Sequence, residues 1–199
     1  MKPYRSPSAY TSASVRARRV WILVCALALA LGLAACGQES QPSSSVNDGV
    51  YVDAGPITYQ LEISRQLNQY ATEDSQYLAG LPVGQGTLTP SELWYGVFLW
   101  AKNQTDQAHA TADKFTIVDT TGDTYHPIPL DAELNAYAWT SQILQPSMIE
   151  PAPNTTASFG PTQGGVILFK LPTGVYSDRP LTLHIFPPSG EPAAITLDL

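Results

Sequence analysis

Two pairs of acidic residues are the first candidates for chemistry in this sequence. Glu73 and Asp74 are adjacent, and Asp131 and Glu133 form a second pair further along the chain. Two carboxyl groups held about 5 to 10 Å apart in a cleft can hydrolyse a glycosidic bond by general acid–base catalysis. Carboxylates of this kind more often lie exposed on an acidic surface. We therefore expect a protein that is not an enzyme, and keep a carboxylate-based envelope hydrolase as the weaker alternative.

The other residues that ligate metals or act as nucleophiles form no recognisable constellation. His109, His126 and His184 lie far apart, and none has a second ligand type at a spacing that binds zinc. Asp119 and Asp123 flank a glycine, but a calcium site needs about six to eight oxygen ligands, so a hairpin turn is the better interpretation. The chain has no nucleophile elbow, phosphate-binding loop or dinucleotide fingerprint. The sequence predicts no catalytic residue, no metal and no cofactor.

Aromatic residues are the stronger candidates for binding. Trp and Tyr are enriched in binding hot spots and in pockets for sugars or peptides, although they also serve as core residues. Two arginines at the ends of predicted strands either pair with acids such as Asp74 or bind an anion or a partner. The candidate binding residues are Tyr70, Tyr77, Trp94, Trp100, Tyr137, Trp139, Arg65 and Arg179.

Charge is distributed unevenly along the chain that must position these residues. The 199 residues include 10 Lys and Arg against 17 Asp and Glu, for a formal charge of -7. Five of the basic residues and no acidic residue lie in residues 1–35, so residues 36–199 carry five basic and 17 acidic residues. A nucleic-acid-binding surface needs clustered cations to neutralise phosphates. We therefore expect no nucleic acid as a partner.

Residues 1–35 have the organisation of a lipoprotein signal peptide. A basic segment precedes an uncharged apolar run at residues 20–35, and these 16 residues are fewer than the roughly 20 that span a membrane. The sequence Leu-Ala-Ala-Cys at 33–36 resembles a bacterial lipobox, whose cysteine receives a diacylglyceryl group. Paired arginines at 18–19 leave Sec and twin-arginine export both open. We predict a palmitate-carrying lipoprotein anchored through Cys36 on the extracytoplasmic face of the cell membrane.

A tether and one domain follow the signal peptide. Residues 36–49 are rich in Ser, Gln, Pro and Gly, which predicts a flexible tether that carries the lipidated Cys36. The other cysteine, Cys25, lies in the signal peptide, so we expect no intramolecular disulfide in the mature protein. Residues 50–199 are long enough to form one domain that is stable through its core alone.

Alternation of apolar and polar residues dominates residues 50–199. Ile57, Tyr59, Leu61 and Ile63 fall on one face of a predicted half-buried strand. Residues 93–101 are apolar on both faces, which predicts a central strand that is covered from both sides. Further strands are predicted at residues 115–119 and 123–126, joined as a hairpin, and at residues 166–171, 181–186 and 194–199.

Two intervals depart from this pattern. Residues 66–81 lack the two-residue period and contain good helix formers, which predicts a short helix or an irregular excursion. Residues 131–151 mix aromatic and polar residues in a long connection. Long ordered loops often carry function, so any individual function of this chain is expected there.

The strand motifs resemble a known family. Residues 95–103 and 115–127 resemble extracytoplasmic immunoglobulin-like domains of unknown function, which occur in actinobacterial lipoproteins and are similar in fold to a mycobacterial secreted antigen. The resemblance covers roughly residues 57–199 and implies an immunoglobulin-like antiparallel β-sandwich of about seven to nine strands. It implies no activity, because the family has no agreed catalytic residues. The matching features are Asn103, Phe115, Asp119, Gly122, Tyr125 and residues 168–172.

These observations together predict a non-catalytic binding or assembly module on the cell surface. Its expected partner is an envelope protein or a cell-wall ligand, recognised through the two long intervals. A small-ligand carrier with an aromatic-lined pocket is the main alternative, and an apolar pocket at Trp94, Trp100 or Trp139 distinguishes it from a solid core.

Overall fold

Alternating apolar residues form two stacked sheets in the computed structural model, which describes residues 40–45 and 49–197. The predicted all-β sandwich is confirmed. The strands are β1 (Ser44–Ser45), β2 (Tyr51–Ala54), β3 (Ile57–Leu67), β4 (Glu92–Asn103), β5 (His109–Ala110), β6 (Lys114–Val118), β7 (Thr124–Tyr125), β8 (Pro127–Ile128), β9 (Ile143–Leu144), β10 (Ile149–Glu150), β11 (Gly165–Pro172), β12 (Leu181–Phe186) and β13 (Ala193–Leu197).

The first sheet has the order β1-β13-β12-β6-β7, and the second has the order β2-β3-β4-β11-β8. Strand β10 also pairs with β4, while β5 and β9 form a small separate ribbon. Among the strands named above, pairing is antiparallel except between β1 and β13. Within the described residues, seven strands have four or more residues, which agrees with the expected seven to nine.

Helical structure in the described ranges is confined to short segments. Helix α1 (Thr72–Ser75) is continued by a 3-10 turn (Gln76–Leu78), which confirms the helical excursion expected at residues 66–81. Helix α2 (Thr156–Phe159) and a second 3-10 turn (Thr173–Tyr176) lie on either side of β11 along the chain. No helix in the described ranges is both long and apolar enough to cross a membrane.

Strand β4 is covered on both faces, as its sequence predicts. Tyr95, Val97 and Leu99 point into the main core between the two sheets. Trp94 and Phe98, on the opposite face, belong to a second apolar cluster on the outside of the second sheet. Because β4 is central and buried on both sides, it shows no polar alternation over most of its length.

One expectation about β3 is wrong. Ile57, Tyr59 and Leu61 are buried, but Ile63 is 37% exposed. The pairing with β4 shifts register between Leu61 and Ile63, which is a β-bulge that turns the following side chains to the other face. Ser64 is therefore the inward residue, and it accepts a hydrogen bond from the Tyr95 hydroxyl at 2.9 Å.

The hairpin expected between β6 and β7 is present. Gly122 has φ of +93°, a conformation that favours glycine. The Asp119 carboxylate accepts hydrogen bonds from the backbone N–H groups of Thr121 and Asp123 at 2.9 and 3.0 Å. It also accepts one from the Tyr125 hydroxyl at 2.8 Å. Asp119 is thus a turn residue, as the sequence suggests.

The segment predicted as a flexible tether differs in its described part. The backbone N–H of Ala194 donates to the carbonyl oxygen of Ser43 at 2.9 Å, and that of Gln41 donates to the Asp53 carboxylate at 2.7 Å. Residues 40–45 therefore lie against the sandwich, so the ordered domain includes residues that precede the expected start at residue 50. The predicted signal peptide and Cys36 lie outside the described residues.

Candidate functional site

The two irregular intervals pack against each other. The Asn135 side-chain amide donates to the carbonyl oxygens of Tyr77 and Ala79 at 3.1 and 3.0 Å. The Tyr137 hydroxyl donates to the Gln76 side chain at 2.8 Å. These bonds connect residues 66–81 with residues 131–151 and make them one ordered cap over the outer face of the second sheet.

Aromatic packing holds this cap in place. The Tyr77 ring makes edge contacts with Phe98 and with Tyr137, each with centroids 4.9 Å apart. Its hydroxyl accepts a hydrogen bond from the backbone N–H of Thr162 at 3.2 Å. Tyr77 therefore has contacts on every side and acts as a packing residue in this structure.

An ion pair fixes the start of the cap. Arg65 donates to the Asp74 carboxylate at 2.6 Å, and the backbone N–H of Asn68 donates to the other carboxylate oxygen at 2.8 Å. The hydrogen bond from Arg65 lowers the pKa of Asp74 below its usual value. The structural pairing suggested by the sequence is thus present. Because Asp74 is held by Arg65, it is poorly suited to act as an acid or base beside the exposed Glu73.

The remaining candidate binding residues are dispersed. Trp94 and Tyr137 are buried in the second cluster, whereas Tyr70 is 89% exposed. Trp100 is partly buried, and its Nε1 has no hydrogen-bond partner among the described residues. Arg179 donates through Nε to the carbonyl oxygen of Tyr176 at 2.9 Å.

Trp139 lines a half-open groove of about 260 Å³. Its backbone N–H donates to the Val166 carbonyl at 2.9 Å, and its Nε1 donates to the Ala112 carbonyl at 2.8 Å. Its ring packs edge-on against Phe115, with centroids 5.9 Å apart. The groove, hereafter the edge groove, is lined by Asp113, Phe115, Pro127, Ile128, Pro129, Leu130, Trp139, Ser141, Val166, Ile167 and Leu168.

The edge groove lies beside the part of β6 that β7 leaves without a partner strand. Strand β7 pairs only with Ile117 and Val118 of β6, so the preceding residues of β6 have no partner strand on that side in the described ranges. At the edge of the second sheet, β8 pairs with Leu168 and Phe169 of β11, and Ala138 forms a parallel bridge with Val166 of the same strand. The chain crosses between these two short strands, from the first sheet to the second, and leaves the groove beside β6.

A second pocket lies across the segment 138–142 from the edge groove. Trp139 and Ser141 face the edge groove, whereas Ala138, Thr140 and Gln142 line the second pocket of about 240 Å³. This alternation is that of an extended chain, whose successive side chains point to opposite sides. The long connection therefore forms a shared wall of two pockets.

Glu150 lines this second pocket and is 4% exposed. Thr111 donates to its Oε2 at 3.0 Å, and burial raises the pKa of Glu150 to about 7. The sequence did not identify Glu150 as a candidate site residue. Its apolar neighbours Ile149 and Pro151 are a weak sign that this acid is buried. No cluster of three or more His, Cys, Asp or Glu side chains suited to a metal exists in the described part of the chain.

Comparison with known proteins supports the fold. No protein-family model and no curated protein matches this chain. The yjhA protein of Bacillus subtilis is similar in structure, with a TM-score of 0.51 and 13% identity over 77% of this chain and 99% of that one.

Two further solved structures are less similar. An uncharacterized β-sandwich protein of Clostridium difficile 630 has a TM-score of 0.42 and 12% identity, over 81% of this chain and 99% of that one. The proposed lipoprotein ycdA of Bacillus subtilis subsp. subtilis str. 168 has a TM-score of 0.47 and 10% identity, over 76% of this chain and 39% of that one. The resemblance to the actinobacterial lipoprotein family stays a prediction from the sequence motifs.

Proposed function

We propose that this protein is an extracytoplasmic lipoprotein whose β-sandwich is a non-catalytic binding module for an extended peptide segment of another envelope protein. The observation that carries this proposal is the edge groove beside the unpaired part of β6. A strand edge without a partner offers backbone hydrogen bonds to an added strand, and an adjacent apolar groove takes one of its side chains.

The size of the edge groove favours a peptide over a small-ligand carrier. Pockets that enclose a drug-sized ligand measure about 300–1,000 Å³ and cover most of its surface. The edge groove has about 260 Å³ and is open on one side, which suits a single large apolar side chain. The partly buried Trp139 supplies aromatic surface of the kind found at binding hot spots.

Charge further restricts the peptide. The exposed Asp113 lies at the rim of the edge groove. The surrounding chain is acidic as well, since residues 36–199 contain five basic and 17 acidic residues. A partner segment with a basic residue next to its apolar anchor complements this rim.

Site-specific photo-cross-linking in cells tests the peptide-binding proposal. A benzoylphenylalanine residue replacing Asp113 should give an adduct that maps to one extended segment of an envelope protein. The same probe at Val83, which is fully exposed outside the groove, serves as the control position. Equal adducts from both positions, or none from Asp113, would contradict the proposal.

A groove-filling variant makes the test specific. Ser141 is an exposed groove residue, and Ser141→Trp should abolish the Asp113 adduct by occupying the groove. Ser177→Trp makes the same change at an exposed serine elsewhere and should leave the adduct intact. Circular dichroism of both variants checks that the fold is retained.

The lipid anchor has its own test. Metabolic labelling with palmitate should label the wild-type protein, and Cys36→Ala should abolish the label and release the protein from the membrane fraction. Palmitate on Cys36→Ala, or none on the wild type, would contradict lipidation at Cys36.

A further inference from the structure

Glu150 is a buried acid in the lining of a pocket that the peptide-binding proposal does not use. The carboxylate accepts a hydrogen bond from Thr111, and the Gln142 side chain and the Thr140 backbone also reach it. A carboxylate has about four acceptor positions, so three donors leave room for another.

No cation of the protein balances this charge in the described residues. The groups that act on the Glu150 carboxylate are Thr111, Gln142 and Thr140, and the ion pair found among the described residues joins Arg65 to Asp74. Tyr59 is the other titratable group close to Glu150, and the negative charge of Glu150 helps to raise the pKa of the Tyr59 hydroxyl. That hydroxyl accepts a hydrogen bond from the Ala112 N–H at 2.7 Å, so Tyr59 supplies no positive charge. A buried carboxylate without a counter-charge is costly, and a bound cation offsets that cost.

The pocket has room for such a cation. Small residues, Ala136, Ala138, Ala152, Ala157 and Gly165, make up half of its lining. Its volume of about 240 Å³ is far above the roughly 10–15 Å³ that a single water needs. Thr140, Gln142 and Thr155 add polar groups to the lining.

We propose that this Glu150 pocket binds a primary ammonium group on an alkyl chain, either a free amine or a lysine side chain. A metal ion is the poorer occupant, because Glu150 is one carboxylate and no group of three metal-ligating side chains exists in the described ranges. An anion is repelled by the same charge. An ammonium donates three hydrogen bonds, and its alkyl chain suits the alanine-lined wall.

Calorimetric titration of the full-length protein with butylammonium chloride tests the proposal, with 1-butanol as the uncharged probe of matched size. Butylammonium should bind at least tenfold more tightly than butanol at pH 8. Its affinity should be about tenfold higher at pH 8 than at pH 6, because Glu150 ionises with a pKa of about 7 while the amine stays protonated. Equal binding of both probes, or binding that does not change with pH, overturns the proposal.

Variants assign the binding to this pocket. Glu150→Gln keeps the shape of the side chain and should weaken butylammonium binding at least tenfold, whereas Glu133→Gln alters an exposed acid and should leave it unchanged. If Glu150→Gln does not fold, Ala152→Leu should block the pocket with the carboxylate intact. Unchanged binding in the folded variant overturns the proposal.

A second titration separates the two sources of the ammonium group. Nα-acetyl-lysine amide binds more tightly than butylammonium if the natural occupant is a lysine side chain of a peptide. Butylammonium binds more tightly if the occupant is a free amine. Failure of both ligands to bind overturns the proposal, and it leaves the edge groove unaffected because that groove lies on the other side of residues 138–142.

Discussion

Asn135 donates its side-chain amide to the carbonyl oxygen of Tyr77, although the two residues are 58 positions apart in the chain. The same amide reaches Ala79, and the Asn135 side-chain oxygen accepts the backbone N–H of Tyr137 at 2.9 Å. Asn135 is 2% exposed, so these bonds are shielded from water. One side chain therefore satisfies three backbone groups of the cap.

Asn135→Ala should destabilise the protein by roughly 2–3 kcal/mol. The change leaves two carbonyl groups and one N–H group of the cap without their partner, and each unsatisfied buried group costs about 1–3 kcal/mol before relaxation. Urea unfolding followed by circular dichroism measures the loss. The matched control is Gln163→Ala at an exposed amide, which should change stability by less than about 0.5 kcal/mol. Equal stability of the two variants would contradict the assigned role.

Asp74→Asn should remove a pH-dependent contribution to stability. Arg65 lowers the pKa of Asp74 in the folded protein, so the ion pair stabilises the fold at pH values above the unfolded pKa of about 4. That contribution is lost as the pH falls through the lower folded pKa. The wild type should therefore lose stability more steeply than Asp74→Asn between about pH 4 and pH 2.

Unfolding titrations of the two proteins at pH 2, 4 and 7 measure this difference. At pH 7 Asp74→Asn should be less stable by about 1–2 kcal/mol, because the pair is partly exposed. Glu73→Gln, at the exposed neighbouring acid, should behave like the wild type. Parallel pH curves for wild type and Asp74→Asn would show that the ion pair contributes nothing.

Glu150→Gln should change stability in the opposite direction with pH. Burial raises the pKa of Glu150 to about 7, so the folded protein holds this proton where the unfolded chain has already lost it. The stabilisation is present below the unfolded pKa of about 4.5 and is lost as the pH rises to about 7. The free energy of unfolding of the wild type should fall over this window relative to that of Glu150→Gln, by on the order of 3 kcal/mol.

Carbon NMR of the Glu150 carboxyl group measures its pKa directly, and urea unfolding at pH 5 and pH 8 measures the linked stability. A pKa near the ordinary value for glutamate would contradict the assigned burial. An unchanged stability difference between the two proteins at pH 5 and pH 8 would do the same.

Gly165→Ala should displace Trp139. A Cβ atom at Gly165 would lie 2.9 Å from Cε3 of the Trp139 ring, which is closer than packed carbon atoms allow. Overpacking of this kind costs about 1–3 kcal/mol. Near-ultraviolet circular dichroism should change with the tryptophan environment, and urea unfolding should show the loss of stability. Gly86→Ala is the matched control, because no atom lies within 4 Å of a Cβ there.

The sequence predicted the strands correctly where apolar and polar residues alternate and this alternation sets which side chains are buried. Leu181, Leu183 and Ile185 face the core, as the period of two predicts, and β4 has the two buried faces that its apolar run requires. The exposure of Ile63 was not readable, because the β-bulge depends on how β3 pairs with β4.

The candidate site was only partly predictable. Trp139 was recognised as a binding candidate from its residue type, but the edge groove around it comes from β6, β8 and β11. Glu150 gave no usable sign, since its burial comes from tertiary packing and its carboxylate is bonded by Thr111, which is 39 positions away in the chain. Tyr77 and Trp94 were expected as possible ligand contacts, and packing from distant elements buries both.

The sequence by itself determined the β-rich domain, the hairpin at Gly122 and the predicted export signal, because each depends on residues close together in the chain. Tertiary structure alone decided that residues 66–81 and 131–151 join through Asn135, and that Glu150 and Trp139 lie on opposite sides of one extended segment. The physical reason is that burial and hydrogen-bond partners come from segments far apart in sequence, which no local pattern encodes.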